Sequence, residues 1–267
     1  MKSGIFLFAA SLSAALSLSS CIFRVNTNGL SDIAKKHIAS KGVIVDTSLN
    51  PAAFNSITVN GPLKVNYSQG ETRVEITGPD DLICYLNVES KDGNLSVSIQ
   101  EGIIFDTSSI IIKIYSEHLN SATLRGSGTL SIHNVDTKTS ENKSLSLILD
   151  GSGEIKGSSL KAETCDIKLA GSGDIEIENI VAGSLKTSLS GSGDIDISFL
   201  EAGSVEASIA GSGDTSLSGR ADCAVYSIVG SGDIDAKALD SKSVQCEVTG
   251  SGDIKYMLDG KILKHSK

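Results

Sequence analysis

The chain has 267 residues, with 23 lysines and arginines against 32 aspartates and glutamates, a formal net charge of −9. That balance argues against nucleic acid and against anionic membrane surfaces as partners. Hydrophobic residues make up 40% of the chain but aromatic ones only 4%, with no tryptophan, so the core must be aliphatic and an aromatic platform for stacking sugars is weakened.

The amino terminus reads as a targeting segment. Lys2 supplies a positive start, Gly4 to Leu18 is small and apolar, and the run ends Leu18-Ser19-Ser20-Cys21. The stretch is too short for a comfortable membrane span and predicts a signal peptide over residues 1–20. Leu-Ser-Ser-Cys has the form of a bacterial lipobox, which makes Cys21 the expected lipid anchor and first residue of the mature chain. An ordinary signal peptide with a chance cysteine is the alternative. Residues 21–42 read as a tether, with Asn26-Thr27-Asn28-Gly29, a short helix expected over Ser31 to Ala39, and His37 solvated rather than ligating.

From Val43 the chain is β-rich. Phe54 to Val59 and Leu63 to Tyr67 alternate apolar and polar residues, and further strands are expected at Val74 to Ile76, Leu95 to Ile99 and Ile110 to Tyr115. No Pro/Gly linker separates residues 43–125 from the rest of the chain. They are expected to form irregular first coils that cap a regular repeat, within a single domain over 43–267.

The regular part spans 126–257. Gly-Ser-Gly recurs with first glycines Gly126, Gly151, Gly171, Gly191, Gly211, Gly230 and Gly250, at gaps of 25, 20, 20, 20, 19 and 20 residues. Before each turn stand apolar residues at every second position, such as Leu169/Ile167/Cys165, Leu189/Thr187/Leu185 and Ile209/Ala207/Val205; after it come Ile175/Ile177 and Ile195/Ile197. Such alternation marks half-buried strands. A further apolar column, Val135, Leu160, Ile180, Leu200 and Leu239, is broken by Arg220. Twenty extended residues trace roughly 66 Å, which suits one coil of a tube whose like columns stack ~4.8 Å apart. The fold expected is all-β, a right-handed parallel β-helix (β-solenoid) with Gly-Ser-Gly corners. An antiparallel meander of twenty-residue hairpins is the competing arrangement.

Gly-Ser-Gly needs no ligand to explain it: a sharp corner wants positive φ and no Cβ, and the Asp after it can accept backbone N–H groups of the turn. No Gly-Lys-Ser/Thr follows any copy, so it is not a phosphate loop. Of the cysteines, Cys165 and Cys246 lie four coils apart, ~19 Å at strand spacing, too far for a disulfide. They are expected to be small core residues. Cys223 and Cys246 are one coil apart but of opposite facing.

The columns, the lipobox and the opening Phe54-Asn55-Ser56-Ile57-Thr58-Val59-Asn60-Gly61 together resemble the putative auto-transporter adhesin head GIN domain family of Bacteroidetes-type envelope lipoproteins, from about Phe54 to Ile254. The resemblance implies a right-handed β-helix, an envelope location and an adhesin, but no binding residues. Surface-exported lipoproteins of such bacteria often carry an acidic run after the lipidated cysteine; here Ile22-Phe23-Arg24 follows.

Three constellations bear on function. Glu154, Asp174, Asp194, Asp214, Asp233 and Asp253 form one column that could attract Ca²⁺, although turn capping explains the same residues. Asp196, Asp235, Lys156 and Lys255 are the nearest candidates for a polysaccharide-cleaving groove, but they are singles on a repeating face. His118 and His133 have no matching cluster. No catalytic residue, metal or cofactor is assigned. The reading is a non-catalytic, lipid-anchored envelope protein, an adhesin or interaction scaffold, exported and expected at the outer membrane, facing either the periplasm or the surface. Its partners would be an envelope protein or glycan, the membrane through the lipid only, or further copies of itself. The alternative is a β-helix polysaccharide lyase or hydrolase.

Overall fold

Ladder pairing in the repeats is parallel and in register one repeat apart. The computed structural model describes residues 36–137 and 140–266. Within it Asp174–Gly191 pairs with Asp194–Gly211 so that Asp174 meets Asp194, Leu189 meets Ile209 and Gly191 meets Gly211. The same parallel pairing runs from Ser144 to Gly250, with register shifts only between Ile197 and Leu200 and between Ser216 and Ser218, so the first glycine of each turn lies beside the next and most aliphatics lie beside aliphatics. The antiparallel meander does not occur there. Strands account for 72% of the chain and helix for 2%, arranged as one large, mostly parallel sheet that does not close into a barrel. Among the described residues no helix is long and apolar enough to cross a membrane.

Alternation sets which side chains enter the core. Ile167, Leu169, Leu185, Leu189 and Ile209 are buried, while Lys168 and Lys186 between them are exposed. The buried aliphatics form one continuous cluster from Phe54 to Ile254. Cys165 is part of it, and burial, aided by the Asp166 charge, pushes its thiol up to about 12. Cys246 is only half-buried and packs against the edge of the cluster. Cys165, Cys223 and Cys246 are free thiols.

The corners show why two glycines are needed. Gly191 has φ 137°, open to glycine and costly for other residues. A Cβ there would collide with the Gly171 carbonyl oxygen, and one on Gly193 with the Gly173 carbonyl oxygen. The approach is close because the Ser192 N–H donates to Gly171 O at 2.9 Å, a bond repeated from Ser212 to Gly191 and from Ser231 to Gly211.

The opening segment departs from the expected succession of irregular coils. Ser56–Asn60 and Lys64–Gln69 lie between two neighbours, both parallel: Ser121–Gly126 and Thr129–His133 on one side, Asn94–Ile99 and Ile111–Ser116 on the other. The order in the stack is therefore not the order in the chain. Beyond these lie reversed strands. Leu86–Lys91 pairs antiparallel with Asn94–Ile99, Arg73–Pro79 with Ile111–Ser116, and Ile44–Leu49 with Arg73–Pro79. At the other end Ile254–Leu258 turns back on itself as Lys261–His265. A parallel stack ends in a row of unpaired backbone groups, and a hairpin folded over that row covers it. Both hairpins turn on Asp-Gly, Asp92-Gly93 (φ 51° and 77°) and Asp259-Gly260 (φ 49° and 73°), the positive-φ pair a two-residue connection requires.

The described residues fall within one compact unit, which takes in residues 36–42 at the end of the expected tether. Lys36–His37 is a strand beside Ile103–Ile104, not the expected helix; residues 31–35 of that helix lie outside the described residues. The Asp81 carboxylate accepts the Ser40 hydroxyl at 2.7 Å and the Lys41 N–H at 2.8 Å, and Asp80 accepts the Val43 N–H at 3.1 Å. The bonds to Asp81, the Lys41 one first, hold its carboxyl below its ordinary value. Cys21 and the signal peptide lie outside the described residues.

Candidate functional site

The strand segments just after each Gly-Ser-Gly carry two outward columns rich in charged residues. Their inward residues, Ile175, Ile195 and Ile234, are buried, which fixes Asp174, Asp194 and Asp233 outward. The Asp column is engaged from repeat to repeat rather than within its own turns. The Asp214 N–H donates to Asp194 Oδ1 at 2.9 Å, the Asp233 N–H to Asp214 Oδ1 at 2.8 Å, and the Asp253 N–H to Asp233 Oδ1 at 2.8 Å. Asp253 has no next repeat to accept from, and the Lys264 ammonium of the terminal hairpin meets its Oδ2 at 2.7 Å. Glu154, at the other end, pairs with Lys156 at 2.8 Å. Among the described residues no group of three or more His, Cys, Asp or Glu side chains is placed to hold a metal ion.

Two positions further on lies the second outward column, Lys156, Glu176, Asp196, Ser216, Asp235 and Lys255. A surface cavity of about 490 Å³ draws together His133, Lys156, Glu176, Glu178 and Asp196. Lys156 is bracketed by Glu154 and by Glu176 at 3.5 Å, and the Glu154 hydrogen bond above all holds its ammonium protonated beyond the usual range. Asp235 belongs to another stretch of the column and pairs with Lys237 at 2.8 Å. Burial works upward on its carboxyl, but hydrogen bonds from Lys237 and the charges of Lys237 and Lys255 outweigh it and leave it lowered. The four sequence candidates are thus split: Lys156 and Asp196 share the cavity, whereas Asp235 and Lys255 do not line it. His118 is elsewhere, its Nδ1 buried and without a hydrogen-bond partner.

A different place escaped the sequence reading. The repeat between Gly211 and Gly230 is one residue short, and the deficit falls at one point. Ile197 registers with Leu217 and Leu200 with Gly219, so Ser198 and Phe199 together stand opposite Ser218. The shift moves Arg220 out of the apolar column it interrupts in the sequence and sets it in the outward column beside Glu201. Phe199, on the longer side of the bulge, is 69% exposed. Gly219 fits because at φ 131° a Cβ would collide with the Leu200 carbonyl oxygen. A cavity of about 510 Å³ results, lined by Asn179, Val181, Phe199, Glu201 and Arg220. The 19-residue gap and the break at Arg220 were the signals that could have located it.

Among curated proteins none matches the chain. Solved structures that resemble it include a putative adhesin from Bacteroides fragilis NCTC 9343, 24% identical with a TM-score of 0.69, covering 80% of this chain and 97% of that one. Another is a protein described as a putative lipid binding protein from Parabacteroides distasonis ATCC 8503, 23% identical with a TM-score of 0.70, covering 82% and 98%. A putative adhesin from the same organism is 26% identical with a TM-score of 0.58, covering 81% and 83%. The family described as putative auto-transporter adhesin, head GIN domain, has a model that matches residues 53–178, 138–198 and 166–263, and the chain belongs to that family.

Proposed function

We propose that this protein is a non-catalytic component of the cell envelope, a rod wound as a right-handed parallel β-solenoid, tied to a membrane by a lipid on Cys21 and presenting its outer faces for adhesion. The observation that carries this reading is the ladder register, in which a residue meets its counterpart one repeat on through four successive pairings. A chain that returns beside itself every twenty residues supports winding, and parallel crossovers are almost always right-handed. Charged groups along the outer columns are spread at the repeat spacing and several are matched by neighbours, as Lys156 is by Glu154 and Glu176 and Lys186 by Glu206 at 2.5 Å. Catalysis needs acid, base and reacting atom brought together at one point, and this spreading supports binding instead. Family membership supports the adhesin role, and the lipobox supports export, removal of residues 1–20 and outer-membrane anchoring.

Two measurements test the reading. Labelled palmitate should enter the wild-type chain in cells and not Cys21→Ser; equal labelling ends the anchor. The purified chain should turn over no polysaccharide, peptide or ester. Turnover lost in Asp196→Asn would replace the rod with an enzyme working at the cavity around Lys156.

A further inference from the structure

At Phe199 the array departs from its repeat, as it does again between Ser216 and Ser218 and between Ala236 and Asp240, and four features coincide at Phe199. An aromatic ring stands 69% exposed in a chain with 4% aromatic residues. The positions that match it in neighbouring repeats are small or polar, Ser159 and Asn179, so no column of the fold calls for a ring. The facing repeat is one residue short and carries Gly219, which opens a cavity of about 510 Å³ beside the ring. Three polar side chains on the rim, Asn179, Glu201 and Arg220, form no hydrogen bond or ion pair among the described residues. A second cavity of about 640 Å³ continues past the shared Val181 towards Lys143, Lys161 and Glu163.

We propose that this bulge is a carbohydrate subsite that takes a neutral pyranose unit of a glycan chain, its apolar face on the Phe199 ring and its hydroxyls shared among Asn179, Glu201 and Arg220. The chemistry selects the ligand. A ring face with a polar rim suits a molecule that is apolar on one side and hydroxylated at its edge. The amide, carboxylate and guanidinium supply acceptors and donors in one small space, as vicinal hydroxyls need. Within the cavity lining Glu201 and Arg220 offset each other in charge, with Asp240 on the far side of Arg220, so a chain of net charge −9 carries no net charge in the lining itself. A peptide would be captured through an open sheet edge, but the strands at the bulge are paired on both sides. The second cavity extends the surface along the stack, as an oligosaccharide requires.

The inference rests on the reading of the chain as a binding protein, and the experiment separates the two. The full chain is tested by affinity electrophoresis and equilibrium dialysis against mannan, laminarin and maltoheptaose as neutral probes, polygalacturonate and heparin as anionic ones, and a casein digest as the peptide probe. At least one neutral probe should bind. Phe199→Ser should weaken it about tenfold or more, and Arg220→Ala by a few-fold, while Val229→Ser, another exposed apolar residue, should leave it unchanged. Melting temperatures equal to wild type show that the variants fold. Binding by no neutral probe overturns the proposal, as does a neutral probe held equally by Phe199→Ser. Binding confined to the anionic probes or the digest also overturns it. Cleavage of a bound probe would sink the non-catalytic reading and leave the subsite standing; failure of every neutral probe would sink the subsite and leave the rod standing.

Discussion

Substituting alanine for Gly191 tests the corner, because the structure separates its two costs. The first is conformational: at φ 137° an alanine incurs the left-handed penalty, roughly 1–2 kcal/mol. The second is steric. The new Cβ meets the Gly171 carbonyl oxygen, a backbone atom that cannot swing aside, and that carbonyl already accepts the Ser192 N–H, so relief requires the repeats to part. Overpacking of this kind costs about 1–3 kcal/mol, giving roughly 2–5 kcal/mol in all. Two other glycines isolate the parts. Gly260 has φ 73° and open space within 4 Å of where a Cβ would stand, so Gly260→Ala carries the conformational cost alone. Gly193 is not in the positive-φ region, but its Cβ would strike the Gly173 carbonyl oxygen, so Gly193→Ala carries the steric cost alone. Urea denaturation followed by circular dichroism gives all three. The expected order places Gly191→Ala as the most damaging; a loss no greater than that of Gly260→Ala would refute the argument that close repeat-to-repeat approach demands these glycines.

Replacing Asp214 by Ala removes the acceptor for the Asp233 N–H and should cost about 1 kcal/mol, with Asp214→Asn nearer to wild type. Melting with millimolar Ca²⁺ and with chelator should give the same loss, and a Ca²⁺-dependent rise in melting temperature that disappears in Asp194→Ala/Asp214→Ala would establish a metal site instead. Alkaline stability should depend on Tyr67, whose hydroxyl is buried against Ser116 and whose pKa burial pushes from 10.0 up to about 12. The raised value means full stability below pH 10, lost as pH climbs towards 12 because the unfolded chain releases the proton first. Tyr67→Phe should flatten that decline, and an unchanged alkaline transition would show that another group governs it.

How far the fold could be read from the sequence depends on how each part is held. Like residues one repeat apart favour stacking on one another, so the registers from Ser144 to Gly250, the shift opposite Phe199 apart, and the inward facing of Leu169 or Ile195 were legible from spacing. The ends were not. There the partners of a strand lie far along the chain and out of order, as when Ser56–Asn60 is flanked by Asn94–Ile99 and Ser121–Gly126, and period-2 alternation says nothing about which strand lies next. Asp92-Gly93 and Asp259-Gly260 are hairpin signals in their own right, but they lie outside the Gly-Ser-Gly period that governs the rest of the chain. At the outer face the Asp column was legible, and that its carboxylates reach the next repeat was not, since an acceptor's partner depends on the pitch of the stack. Arg220 stands out in the sequence as a break, but its meaning needed the register shift that carries it beside Glu201.

That shift bears on specificity. A surface that repeats every ~4.8 Å offers a ligand the same contacts after a slide of one repeat, so regular columns such as Asp194, Asp214 and Asp233 can contribute attraction but cannot fix a position. Selective binding requires a place where the translation fails. In the regular stack, the bulge at Phe199 breaks shape and spacing together, since an aromatic side chain replaces a small one, Gly219 stands opposite Leu200, and one residue is missing opposite. The core beneath is undisturbed: Ile197, Leu200, Leu217 and Ala221 remain buried around the shift. Selection for packing alone would favour the twenty-residue repeat and a small residue at the corner, as at Ser159 and Asn179. A deviation confined to the surface, with the interior kept, is the pattern expected where a ligand rather than the core sets the residues.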